Sequence, residues 1–295
     1  MDAGLIGRAR PEAYGRPILG NSEANELIYR VVTASCPALV GRIGGTELSC
    51  VRHFLERRQG AQKRSYPAKV RSRMSVLSGF FPSTDELLDT FCHEYLDAAS
   101  ELDILGIWYN RFEDVVATRV CPNASLVLLR ALEPYFHAEP WSRALAGKTV
   151  LVIHPFVESI RENFERNRAR LFEDERVLPS FDLRLLKAVQ SIAGQTTGHA
   201  TWFDALAQMK AQMDTERFDI CIIGAGAYGL PLAAHAKRAG RVAIHLGGAT
   251  QVLFGIGGRR YDTDEASRFY NQWWVRPTSA ETPSDARLVE GGCYW

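Results

Sequence analysis

The sequence predicts an α/β protein built on a Rossmann-like, mostly parallel sheet with helices on both faces. Two observations carry this. Five short apolar runs recur along the 295 residues: ALVGRI (38–43), LDILGIW (102–108), KTVLVIHP (148–155), FDICIIGA (218–225) and RVAIHLGG (241–248). Each is bounded by Gly, Pro or Asp and lacks the alternation of a strand with one wet face. Between the runs lie stretches of helical period, and a strand that returns parallel to its neighbour needs such a crossover.

Taken in order, the connecting elements have readable signals. Ser83-Thr84-Asp85-Glu86, behind Pro82, opens a helix through LLDTFCHEYLDAA. SLVLLRALEPYF (125–136) reads as one further strand running into a turn at Pro134. Phe156, Ile160, Phe164, Leu171 and Phe172 form an apolar stripe after the third run, leaving Arg161, Glu165, Arg168 and Glu175 for a solvated surface. THATWFDALAQMKAQM contains a helix beginning near Thr201. With no repeat, low-complexity tract or linker, residues 1–295 read as a single α/β domain. Its finer division is into lobes 20–145 and 146–260 and an aromatic tail 261–295.

A hydrophobic content of 46% supplies a core, and 35 basic against 34 acidic residues leave a net charge of +1. No global field draws such a chain to nucleic acid, so an anionic ligand must be held locally. Six cysteines without a CxxC pair, several inside apolar runs, predict buried thiols, a reducing cytoplasm and no zinc site. The first residues lack the apolar stretch of a signal peptide, and no run of about 18 apolar residues occurs. The expectation is a soluble cytoplasmic protein with at most peripheral membrane contact; homo-oligomerisation is left open.

In a parallel sheet, ligands bind at the carboxyl ends of the strands. Arg42 to Glu47 follow the first run and Trp108-Tyr109-Asn110-Arg111 the second. His154-Pro155 follow the third, a glycine loop the fourth, and His245-Leu246-Gly247-Gly248 the fifth. These segments are expected to converge on one site. Gly224, Gly226 and Gly229 match GxGxxG between a strand and a helix, which suits a phosphate near backbone amides. An NAD reading also wants an acidic residue after the next strand, where His245 stands, so no NAD is expected. An NAD(P)- or FAD-dependent oxidoreductase remains the rival enzyme class. The bland alternative is that these glycines only let helix approach strand.

Arg42, Gly44, Gly45, Thr46 and Glu47 combine charge, exposed amides, a hydroxyl and a carboxylate within six positions, a set that suits a diphosphate. Equally, Gly44-Gly45 suit a turn, Thr46 a cap and Glu47 a first-turn charge. His154 is a candidate base or phosphate donor, and His245 a candidate ligand contact, each weighed against a satisfied strand-end histidine. Glu113 and Asp114 are loop carboxylates, either an acceptor-side base or merely solvated. The aromatics Tyr261, Tyr270, Trp273, Trp274, Tyr294 and Trp295 suit stacking on a sugar or burial of the tail. Arg259, Arg260 and Arg276 add local positive charge.

Arg42-Ile43-Gly44-Gly45-Thr46-Glu47 resembles the RFGDGE-like signature near the N-terminus of bacterial glycosyltransferases of the GT-D fold. The late strand, glycine turn, helix and strand, and an ending like YNQWWVRP…VEGGCYW, extend the resemblance over most of the chain. It implies a GT-D-like fold and inverting transfer of a sugar from a nucleoside-diphosphate donor to a glycan or lipid-linked acceptor. The setting implied is assembly of a surface polysaccharide, O-antigen or capsule. On the resemblance and the strand-end positions together, Arg42, Gly44, Gly45, Thr46, Asn110, Gly224, Gly226, Tyr228, Gly229, His245, Gly247 and Gly248 are expected to face the donor, and Glu47 and His154 are the catalytic candidates. The family's Asp-X-Glu pair is associated with a divalent metal. Here Gly45 replaces the Asp, leaving Glu47 alone and dependence on Mn or Mg open. A nucleotide-sugar-binding protein without transferase activity is the non-enzymatic alternative.

Overall fold

Runs of apolar residues too even for a half-wet sheet require cover on both faces, and the computed structural model, which describes residues 11–59, 65–195 and 197–295, provides it. The N-terminal elements are β1 (Glu12–Ala13), β2 (Arg16–Leu19), α1 (Asn21–Ala34), β3 (Ala38–Arg42), α2 (Gly45–Gln59), α3 (Ala68–Val76), α4 (Asp85–Ser100), β4 (Ile104–Ile107), α5 (Glu113–Arg119) and β5 (Ser125–Leu128). There follow β6 (Thr149–His154), α6 (Val157–Asn167), β7 (Asp182–Lys187), α7 (Trp202–Thr215), β8 (Ile220–Ile223), α8 (Gly229–Arg238), β9 (Val242–His245), α9 (Ala249–Leu253) and α10 (Arg259–Asp262).

These strands form one sheet in the order β1-β2-β5-β4-β3-β9-β8-β6-β7. The β1–β2 pair is antiparallel and all other pairs are parallel. The five apolar runs are β3, β4, β6, β8 and β9, and they stand side by side at the centre as β4-β3-β9-β8-β6. Successive side chains go to opposite faces. Leu39, Leu105, Leu151, Cys221 and Ala243 join a core with Phe54, Met74, Phe91, Val116, Trp202 and Leu230, from α2, α3, α4, α5, α7 and α8. Val40, Ile104, Val152, Ile222 and Ile244 join another with Ile28, Ile160 and Leu253, from α1, α6 and α9.

The helix starts follow the capping signals. Thr84 accepts a hydrogen bond from the Leu87 amide at 3.3 Å, opening α4. Thr201 and Asp204 cap α7 reciprocally. The stripe from Phe156 outlasts its helix: α6 stops at Asn167, and Leu171 and Phe172 are buried beyond it. Two features differ from expectation. The segment 125–136 is strand only to Leu128, after which short 3-10 turns carry it over Leu129–Leu132 and Pro134–Phe136. The segment DLRLLK, not among the expected strands, is β7; as an edge strand pairing with β6 alone, it keeps Asp182, Arg184 and Lys187 in water.

Phe91 is fully buried against Phe80, Tyr95 and Trp202, with ring centroids 5.1–5.3 Å apart. Phe91→Ala is expected to remove about 3–5 kcal/mol of stability, read as a lowered urea midpoint.

Candidate active site

Where parallel strands end together, their loops make a cleft. Here the cleft measures about 330 Å³, within the range of small-molecule sites. The segments after β3, β4, β6, β8 and β9 all reach it. Arg42, Gly44, Gly45, Thr46, Glu47 and Asn110 line it from the first half of the chain. His154, Gly224, Gly226, Tyr228, His245, Gly247 and Gly248 line it from the second. Of the donor-facing and catalytic candidates, Gly229 alone is not in the wall.

Arg42 sits at the end of β3, half-buried. Its guanidinium carbon lies 4.2 Å from the centroid of the Trp108 ring. That ring is fixed by a 3.1 Å hydrogen bond from Nε1 to the Ile43 carbonyl. On another side the guanidinium lies across Gly247, where a Cβ would come within 3.2 Å of it. Among the described residues Arg42 has no carboxylate partner, and its buried Nε has no acceptor. An arginine held by an aromatic ring and a glycine, with its charge unanswered, is arranged for an anionic ligand.

The β3–α2 turn shows why Gly44 is glycine: the Glu47 carboxylate folds back into the space a Cβ would take. The Gly44 amide donates to the Tyr95 hydroxyl at 3.0 Å, and Ser78 Oγ donates to Glu47 Oε1 at 2.6 Å. Oε2 of Glu47 has no donor among the described residues. Asn110 stands beside Gly45, and its buried Nδ2 is unpartnered. The first amides of α2 and of the turn preceding α8 have no intrahelical acceptor and carry the positive ends of their helices.

The glycine loop is mostly a matter of close contact. A Cβ on Gly224 would strike the Gly247 carbonyl, His154 and Thr250 at 2.6–2.8 Å, and one on Gly229 would strike the His245 ring. Gly229 therefore lies behind the cleft rather than in its wall, contrary to its expected place. Gly248 makes room for Tyr294 and for Tyr261, whose hydroxyl is 2.5 Å from where a Cβ would stand. Gly226 differs: it adopts φ +53° and faces open space, where a Cβ would find its nearest neighbour 3.8 Å away.

His154 Nδ1 accepts the Phe156 amide hydrogen at 3.0 Å, which leaves the proton of the neutral ring on Nε2. Burial pulls its pKa down to about 3, so the ring is neutral at ordinary pH. His245 is likewise pulled down to about 3, by burial first and by Arg42 second. Glu113, an expected acceptor-side candidate, is buried outside the cleft wall, and Oε2 accepts from Tyr14 OH and the amides of Trp108 and Tyr109 at 2.8–3.1 Å. These bonds hold the β4–α5 loop, where Tyr109 and Phe112 take φ of +60° and +77°. Asp114 points to water.

Sequence reasoning missed Arg73, Ser78, Tyr95, the loop 188–192 and Glu290, all in the cleft wall, where Arg260, singled out for its charge, also stands. Most come from elements with no chemical motif, and 188–192 follows β7, which carries no apolar-run signal. Of the tail aromatics, Tyr294 and Trp295 reach the cleft, whereas Trp273, Trp274 and Tyr270 pack against the core. The six cysteines are free, and Cys36 alone among them is exposed.

The donor set does not fit a protein-held divalent cation. Glu47 is the sole carboxylate of the turn, and one of its oxygens is occupied by Ser78. Among the described residues no three His, Cys, Asp or Glu side chains cluster to hold a metal. Nor, among the described residues, is any helix long and apolar enough to cross a membrane.

No protein-family model matches the chain, and no curated protein matches it. Solved structures do resemble it. A selenomethionine-substituted domain of unknown function 1792 is 13% identical, with a TM-score of 0.47, over 90% of this chain and 92% of that one. A structure described as that domain having a distinct glycosyltransferase fold is 14% identical, with a TM-score of 0.46 and the same coverage. Another, described as a new glycosyltransferase from Streptococcus sanguinis, is 12% identical, with a TM-score of 0.39, over 90% of this chain and 95% of that one. At these values they lend no residue of the chain a role.

The two histidines make stability pH-dependent. Unfolded, each binds a proton near pH 6.5; folded, each resists until about pH 3. Their contribution is whole above about pH 6.5 and is lost as pH falls towards about 3. The urea midpoint is expected to drop between pH 7 and pH 4, and His154→Asn is expected to flatten that drop.

Proposed function

We propose that the chain is a glycosyltransferase that moves a sugar from a nucleoside-diphosphate donor to a bacterial surface glycan or glycolipid, with inversion at the anomeric carbon. The observation that supports this most is Arg42, an arginine without a counter-ion among the described residues, in a cleft that two helix N-termini approach. The resemblance of Arg42 to Glu47 to the GT-D signature is consistent with it. The cytoplasmic face of the membrane is the setting in which such a donor meets a lipid-linked acceptor.

In this reading Arg42, His154 Nε2 and the amides near Thr46 and Gly226 hold the diphosphate. Glu47 Oε2 accepts the proton of the acceptor hydroxyl while Ser78 steadies Oε1. The acceptor oxygen forms its bond to the anomeric carbon from the face opposite the phosphate. The bond from that carbon to the diphosphate breaks, and its electron pair leaves with the diphosphate, where Arg42 offsets the new charge. No step runs through a metal. The strand after the glycine loop ends in His245 rather than in an acidic residue for the ribose hydroxyls, which counts against a dinucleotide.

Calorimetry with UDP-, GDP-, CMP- and dTDP-sugars and NAD(P) tests the reading. One nucleotide-sugar should bind, and Arg42→Ala should weaken it about 10- to 100-fold, the worth of charge-assisted hydrogen bonds. Binding of NAD(P) alone would overturn the proposal. Glu47→Gln should lower kcat by about 10²–10⁴ while leaving donor affinity within about threefold; an unchanged kcat would remove Glu47 from the base role.

A further inference from the structure

The cleft holds another arginine, to which the transfer reaction above gives no part. Arg260, in α10, lines the cleft and is ion-paired with Glu290, which lines it as well. The guanidinium carbon lies 4.9 Å from the Tyr294 ring centroid, and Nη1 donates to the Tyr294 hydroxyl at 3.3 Å. Arg42 also has a cleft aromatic against its plane but no carboxylate among the described residues. The two arginines thus differ mainly in that Glu290 answers the charge of one.

We propose that Arg260 is a second anion-binding arginine of the cleft, and that Glu290 is a resident stand-in which the ligand's diphosphate displaces. This inference rests on the reading of the cleft as a diphosphate site. The exchange is downhill for electrostatic reasons. Both partners are partly open to water, with side-chain exposures of 37% and 50%, so their pairing is weak. A diphosphate offers more charge and more acceptor oxygens to the same planar donor fork.

The backbone around Glu290 supports release. Glu290, Gly291 and Gly292 take φ of +47°, +74° and +85° in succession. Two of the three are glycines, which adopt this region freely, while Glu290 is held there against its steric preference. A Cβ at Gly291 would meet nothing within 4 Å, so its glycine serves the turn and not a crowded neighbour. Beyond the turn the segment is anchored: Gln251 Nε2 donates to the Tyr294 carbonyl at 3.2 Å, and Trp295 Nε1 to the Glu281 carbonyl at 3.0 Å. Glu290 therefore has room to turn away while its neighbours hold the wall in place.

The test is calorimetric titration of the full chain with inorganic pyrophosphate. Glu290→Gln should tighten binding about 5- to 10-fold, Arg260→Ala should weaken it, and Glu290→Gln should change nothing once Arg260 is alanine. Glu290→Gly, which also suits the backbone at that position, should tighten binding like Glu290→Gln and guards against an effect of the glutamine itself. If Glu290→Gln binds as the wild type does, or tightens equally without Arg260, the inference is overturned. Arg42→Ala separates the two levels. Weakening by Arg42→Ala with no effect of Glu290→Gln discards this inference alone, whereas no effect of Arg42→Ala, or no binding by the wild type, discards the diphosphate site and the inference with it.

Discussion

The site depends on the parallel pairing of β3 with β9. Ala38, Leu39 and Val40 register with Val242, Ala243 and Ile244, and this pair joins strands from the first half of the chain to those of the second. It brings the end of β3 between those of β4 and β9. From β4 comes Trp108, against whose ring Arg42 lies; from β9 comes Gly247, across which it passes. Neither neighbour brings a carboxylate. The neighbouring strands set a ring and a glycine against the guanidinium, and among the described residues no carboxylate pairs with it.

That isolation costs free energy. Among the described residues Arg42 Nε, Asn110 Nδ2 and His245 Nδ1 are buried without partners, and all three residues line the cleft. Each such atom carries a penalty of about 1–3 kcal/mol. Elsewhere the protein answers many of its arginines: Arg130 pairs with Asp264, Arg176 with Glu139 and Arg238 with Glu101. Buried polar groups that only stabilise a fold are as a rule satisfied within it, and the unpartnered groups lining the cleft agree with the ligand role proposed for it.

The sequence made the centre of the sheet legible because strands buried on both faces are written as unbroken apolar runs, so β3, β4, β6, β8 and β9 stood out. Edge strands carry no such mark: β7 exposes Asp182, Arg184 and Lys187, and β2 is only four residues long. Most of the cleft followed from the strands, since residues after parallel strands must converge. What each residue does there was less legible. Gly224 and Gly229 fitted a ligand motif yet are small to admit His154, Thr250 and His245, contacts set by distant strands. The tautomer of His154 hangs on the Phe156 amide, and the pairing of Arg260 on Glu290, thirty residues away. Neither leaves a local signature.

The central claim is that Arg42 is the floor of a diphosphate site. A crystal structure of the protein grown with UDP, and in parallel with GDP, addresses it directly. The account predicts phosphate oxygens within hydrogen-bonding distance of the Arg42 guanidinium and of amides at the starts of α2 and α8. A diphosphate bound elsewhere, with Arg42 still lying free against Trp108, would contradict it.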